Sequence, residues 1–274
     1  MAHSKLLPGN FPPVTKSGML GLLSSGDALP TPDYETGNPF DPTGWVPQNA
    51  TNISVSTSGI SFKVTGATDT IDNIAYDLVS GNVSDTVWSL RYTVTYTGFS
   101  AGSGGENHII GIGSQSGAVG AMSNPYTGGG GSSVAENRIG FSWVDYAGTP
   151  EIGILSSEGW YSNGYPNNSA HTTSSNLSIT GSVKYYITLI RHSATKITMD
   201  IKTGSFTGTS VTGYPVTSNN PPSTDGVYSN ATPTSSLTDL RYLKIWNRAK
   251  EGTRAGYFTG VLDSISFWNN VEIA

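Results

Sequence analysis

The stretch Gly159-Trp160-Tyr161-Ser162-Asn163-Gly164-Tyr165-Pro166-Asn167-Asn168 gathers three aromatic rings among amides and hydroxyls. Aromatic faces stack on sugar rings, while amides and hydroxyls exchange hydrogen bonds with sugar hydroxyls. Trp160, Tyr161, Asn163 and Tyr165 are therefore the leading candidates for carbohydrate contact. Asn124-Pro125-Tyr126, just before the run Gly128-Gly129-Gly130-Gly131, offers Tyr126 as a second contact. The competing reading makes Trp160 a plug that ties its loop to the core, and from the residues alone both readings stand.

Other chemistry finds less support. Hydrolysis of a glycosidic bond needs two carboxyl groups flanking it, and the chain has no Glu-x-Asp-x-x-Glu or similar cluster. The nearest pair, in Asp69-Thr70-Ile71-Asp72, reads as a loop, and Asp77, Asp145, Asp200 and Asp263 are isolated in sequence. Gly113-Ser114-Gln115-Ser116-Gly117 puts Gln115 where a serine nucleophile elbow needs Ser. The histidines, His3, His108, His171 and His192, lack ligand spacing. Calcium takes six to eight oxygens from carboxylates and carbonyls. Asp69 and Asp72, with Asn73 beside them, could supply some of these, against the alternative of a solvated turn. No other cofactor is implied.

Composition narrows the classes further. The 274 residues carry a net charge of −5, and only 12% are charged. Disordered chains are usually charge-rich and aromatic-poor, whereas this one has 14 Tyr, 8 Phe and 6 Trp for a core. Arg248, Lys250 and Arg254 form the only basic cluster, and Glu251 interrupts it, so a nucleic-acid groove is not expected. The absence of cysteine excludes disulfides and thiolate chemistry. No stretch approaches the roughly 20 apolar residues of a membrane-spanning helix. The early run Met19-Leu20-Gly21-Leu22-Leu23 is shorter than a signal-peptide core of about 7–15 residues.

The elements that must position these residues read as strands. Between Val87 and Thr97, Trp88, Leu90, Tyr92, Val94 and Tyr96 fall on one face, with Ser89, Arg91, Thr93 and Thr95 on the other. That period of two defines a half-buried strand. Ile53–Val55 and Ile60–Val64 flank a hairpin signal at Ser58-Gly59. Val183–His192 and Lys196–Lys202 form a second hairpin, with Val183, Tyr185, Ile187, Leu189, Ile197, Met199 and Ile201 inward and the opposite face wet. Ile109–Ser114, Arg138–Tyr146, Leu240–Asn247 and Tyr257–Trp268 complete a chain of about a dozen strands, the pattern of a sandwich or barrel.

The closing strand Phe258-Thr259-Gly260-Val261-Leu262-Asp263-Ser264-Ile265-Ser266-Phe267-Trp268 resembles that of concanavalin A-like and laminin-G-like domains, with its aromatic–x–Gly–aliphatic–Asp–x–aliphatic order. The hairpin Tyr185–Lys202, and the pair Ile74–Leu78 and Val87–Tyr92, are similar to units of the same lectin-like jelly rolls. The resemblance spans about residues 45–270. It implies an all-β fold of two antiparallel sheets packed face to face, a fold that hosts lectins, glycanases, lyases and structural proteins. Asp263 shares the alternation of Val261, Ile265 and Phe267 and is expected to point toward the core or a sheet end, as a structural cap.

Residues 1–44 hold Pro8, Pro12, Pro13, Pro30, Pro32, Pro39 and Pro42 and are expected to form an extended arm, with the sandwich over 45–274. Met19, Leu20, Leu22 and Leu23 are the candidate assembly contacts of that arm on a neighbouring subunit. The reading is a non-catalytic surface-recognition module for glycans, outside the cell or on a cell or virion surface. The alternative is a structural or decorating subunit assembled through its arm, and a polysaccharide-degrading enzyme comes third.

Overall fold

The computed structural model describes residues 28–48, 52–64, 71–79, 83–100, 107–116, 137–146, 149–160, 166–175, 181–219, 237–248 and 257–273. Fifteen strands run through them, and the described residues contain no helix. In chain order they are β1 (Tyr34–Thr36), β2 (Trp45–Gln48), β3 (Ile53–Ser56), β4 (Gly59–Val64), β5 (Ile71–Asp77), β6 (Trp88–Ser100), β7 (Asn107–Gly113) and β8 (Arg138–Tyr146). Then follow β9 (Thr149–Trp160), β10 (Pro166–Ser175), β11 (Lys184–Ser193), β12 (Lys196–Thr203), β13 (Val216–Asn219), β14 (Tyr242–Arg248) and β15 (Tyr257–Asn269).

They form two antiparallel sheets. The first has the order β13-β12-β11-β6-β15-β4-β3, with β1 added against β15, and the second has the order β10-β9-β8-β7-β14-β5-β2. The expected all-β sandwich is the observed fold. Its core is built by the inward sets read from the alternation: Trp88, Leu90, Tyr92, Val94 and Tyr96 of β6 pack with Ile187, Leu189, Ile197, Met199 and Ile201 from the same sheet. The second sheet contributes Ile74, Ile110, Ile112, Ile139, Phe141, Ile154, Leu243 and Ile245. Alternation puts every second residue on the inner face, and burying those apolar side chains is what holds the two sheets together.

Three features depart from the expected pattern. The opposite face of β6 is not wet: Ser89, Arg91, Thr93 and Thr188 of neighbouring β11 are buried. The segment from Gly204 to Tyr214 crosses this face, setting the Phe206 ring 5.1 Å from the Arg91 guanidinium and 5.2 Å from the Tyr186 ring. The C-terminal segment covers the rest, with Ser89 Oγ donating to Val271 O at 2.7 Å and accepting from Ile273 N at 3.1 Å.

Asp263 does not face the core. The ladder between β15 and β6 shifts register between Leu262 and Ser264. One extra residue there reverses the alternation, so Leu262 and Ile265 are both buried while Asp263 turns outward. Its carboxylate meets Lys184 Nζ at 2.6 Å and accepts a hydrogen bond from Thr93 Oγ1.

The third departure concerns the arm. Residues 28–44 lie on the chain's own sandwich. Tyr34–Thr36 pairs with Phe267–Ile265, Trp268 Nε1 donates to Pro30 O at 2.7 Å, and Phe40 is in the core. Pro30, Pro32, Pro39 and Pro42 flank the short strand without interrupting it, so its ladder donors are available. Tyr34 joins an aromatic cluster with Tyr76 (4.2 Å between ring centres) and Trp45, whose Nε1 donates to the Tyr34 hydroxyl at 2.8 Å. Burial pushes that hydroxyl's pKa above its ordinary value. Met19, Leu20, Leu22 and Leu23 lie outside the described residues.

Candidate functional site

The segment read as a loop around Trp160 is a hairpin. Trp160 is the last residue of β9 and pairs with Pro166, the first of β10, so residues 161–165 join two paired strands. β10 is an edge strand of the second sheet. On its other side β9 pairs with β8 only as far as Ser157, opposite Arg138, the first residue of β8. Among the described residues Glu158 and Trp160 therefore pair with β10 alone, and β9 runs past the first residue of β8.

Tyr161, Asn163, Tyr165 and Tyr126 lie outside the described residues, as does Asp69. Asp72 is not in a turn: it is the second residue of β5, paired with Asn247 of β14. Asn73 follows it and is fully buried, and neither its Oδ1 nor its Nδ2 has a hydrogen-bond partner. Among the described residues no group of three or more His, Cys, Asp or Glu is placed to hold a metal.

Several polar constellations were not legible in the sequence, because their members are distant along the chain. At the same end of the second sheet as the hairpin tip, Arg241 Nε and Nη2 donate to the two oxygens of Asp77 at 2.7 and 2.6 Å. The Asp77 carboxyl is held below its ordinary pKa, first by that hydrogen bond from Arg241. Two further cations stand on this sheet's outer face, Lys244 of β14 and Arg138 of β8, and they are only 1% and 4% exposed. Ala75 and Gly111 are the cross-strand neighbours of Lys244, and Gly140 lies beyond Gly111.

On the outer face of the first sheet, His192 Nδ1 is 2.7 Å from Glu272 Oε2, and Nε2 is 3.0 Å from Thr198 Oγ1. Carboxylate, imidazole and hydroxyl in that order could relay a proton, but Thr198 Oγ1 is shared with Thr217 Oγ1 at 3.2 Å. With Glu272 in the segment that covers Ser89, the array works as a clasp on the C-terminal segment. Arg191, fully buried at the end of the core face, donates to the carbonyls of Ser193 at 3.3 Å and Leu237 at 3.1 Å. Burial lowers its pKa to about 10.

No family model matches the chain, and no curated protein matches it in sequence. Solved structures do. Peanut lectin in complex with a nine-residue peptide is 11% identical, with a TM-score of 0.50 over 85% of this chain and 95% of that one. Basic winged bean lectin with Tn-antigen is 10% identical, with a TM-score of 0.51 over 87% of this chain and 98% of that one. A lectin from Bauhinia forficata in complex with GalNAc follows at 9% identity and a TM-score of 0.47, over 87% of this chain and 99% of that one. Alginate lyases stand further off, at TM-scores of 0.41 and 0.44. The first two likenesses establish the concanavalin A-like jelly-roll fold that the closing strand and central hairpin suggested.

Proposed function

We propose that this protein is a non-catalytic carbohydrate-recognition module working outside the cell or on a cell or virion surface. Its contact surface is the tip of the β9–β10 hairpin, with Trp160 as the principal ring, Tyr161, Asn163 and Tyr165 around it, and Tyr126 from the second loop. The observation that carries the reading is the overhang: among the described residues Glu158 and Trp160 pair only with β10, past the first residue of β8. Connections at the rim of a rigid sandwich are where recognition residues tend to lie, which supports the reading. The lectin fold supports the reading as a scaffold and assigns no ligand.

Screening the full chain on a glycan array, then repeating it with Trp160→Ala, tests this. Loss of bound glycans in the variant is expected. Release of new reducing ends or unsaturated products from a bound polysaccharide would favour an enzyme. An assembly in sedimentation that dissolves when Met19, Leu20, Leu22 and Leu23 are made polar, with no glycan bound, would favour the structural subunit.

A further inference from the structure

The partly exposed aromatic rings where β1, β2 and β5 meet stand at the same end of the second sheet as Trp160. Trp45 of β2 pairs with Tyr76 of β5. The next residue of β5, Asp77, begins a row that runs through Tyr242 of β14, Gly113 of β7 and Arg138 of β8 to Ser157 of β9. Trp160 follows as the last residue of β9. β5 and β9 are four strand spacings apart, about 19 Å across the sheet. The Asp77–Arg241 pair lies on this row beside Tyr76, and both of its side chains reach solvent.

The aromatic junction is a fixed platform. Tyr34 and Tyr76 pack with their ring centres 4.2 Å apart, and each keeps part of its surface in solvent. Buried Trp45 backs both rings, at 6.5 and 5.6 Å, and its Nε1 holds the Tyr34 hydroxyl. Gly44, at φ +82, lies against Tyr76, and a Cβ there would sit 2.8 Å from Tyr76 Cε2. Rings already held in place need little ordering on binding, and their faces accept the apolar face of a sugar. Charge around the platform has one sign. Residues 28–48 include Asp33, Glu35 and Asp41, all exposed, and no Lys or Arg. Exposed carboxylates accept hydrogen bonds from sugar hydroxyls and repel acidic sugars.

We infer that Tyr34 and Tyr76 form a second sugar-stacking contact, so that the protein binds an uncharged oligosaccharide laid along this end of the sheet from the Tyr34–Tyr76 platform toward Trp160. The inference rests on the glycan-recognition reading and adds chain length and charge to it. A disaccharide is too short to touch both contacts, and a hexasaccharide spans them. A chain that reaches two linked contacts binds more tightly than one that reaches either alone. The carboxylates beside the platform set the preference for uncharged over acidic sugars.

The experiment titrates the full chain by calorimetry with cello-, manno- and N-acetylchito-oligosaccharides, each as dimer and hexamer, and with the galacturonate hexamer as the acidic comparison. At least one uncharged hexamer should bind about tenfold or more tighter than its dimer. It should also bind about tenfold tighter than the galacturonate hexamer. Tyr76→Leu should bring that hexamer down to the dimer's affinity and leave the dimer, held at the hairpin tip, unchanged. If Tyr76→Leu fails to fold, Asp41→Lys at an exposed position decides, and it should raise affinity for the galacturonate hexamer roughly fivefold. A hexamer no tighter than its dimer, a folded Tyr76→Leu that keeps the wild-type gain, or an Asp41→Lys variant that changes nothing overturns the second contact. If dimers bind, lose binding in Trp160→Ala and gain nothing from added length, the hairpin reading stands and the platform falls. If no oligosaccharide and no array glycan binds, both fall.

Discussion

Arg191 shows how one residue can hold a corner of this fold. A guanidinium with no exposed surface has been taken from water, and its carbonyl partners on Ser193 and Leu237 are what offset that transfer. Arg191→Ala should destabilise the protein by about 3 kcal/mol or more in urea unfolding, since it leaves buried acceptors without donors and opens a void. The exposed pair Asp77–Arg241 belongs to a different regime. Both side chains are at least about a third exposed, so Arg241→Ala should change stability only slightly at neutral pH. Asp77 has a lowered folded pKa, so the pair's contribution is complete above the ordinary carboxyl range and is lost as pH falls through the lowered value. The wild-type and variant unfolding curves should therefore converge as pH falls below the ordinary carboxyl range. Single residues were also where the sequence was least legible. Arg191 and Lys244 look like ordinary polar positions in alternating strands, and only the folded chain shows that both are buried. Asp263 was misassigned because period-two alternation assumes an unbroken ladder, and the bulge at Leu262–Ser264 breaks it.

At the scale of elements, legibility follows apolar alternation. The β6 strand and the β11–β12 hairpin were readable because their inward residues are large and their outward ones polar. The β3–β4 hairpin was readable from Ser58-Gly59: Ser56 pairs with Gly59 across a two-residue turn. Gly59 has φ +119, and a Cβ there would meet Leu262 O at 2.3 Å. Gly59→Ala should therefore lower stability by more than the roughly 1 kcal/mol of an ordinary glycine replacement, and differential scanning calorimetry would record it. A melting temperature unchanged by that substitution would mean that β4 and β15 separate more easily than their pairing suggests. β10 was not readable. Pro166–Ser175 has no apolar alternation and becomes a strand because β9 offers it a free edge to pair with. The aromatic cluster at its start was recognised, but its placement on an overhanging hairpin depends on β9 outlasting β8, which no local pattern encodes.

For the whole molecule, the sandwich extends into what composition marks as an arm. Proline content separated residues 1–44 from the rest, yet β1 and Phe40 are part of the packed body. A chain begun at residue 45 should lose at least the roughly 3 kcal/mol of a buried Phe, together with the Trp268–Pro30 hydrogen bond, relative to one begun at residue 28. Equal melting temperatures for the two would show that this docking is dispensable. The last residues of β9, the Asp77–Arg241 pair and Arg138 all lie at one end of the second sheet. The most direct test is glycan binding by the full chain and by Trp160→Ala, folded to the same melting temperature. The account predicts that the wild type binds a defined set of glycans and that the variant loses them by roughly tenfold or more, as expected for a stacked anchor ring. Undiminished binding by the variant, or a wild type that binds no glycan, would contradict it.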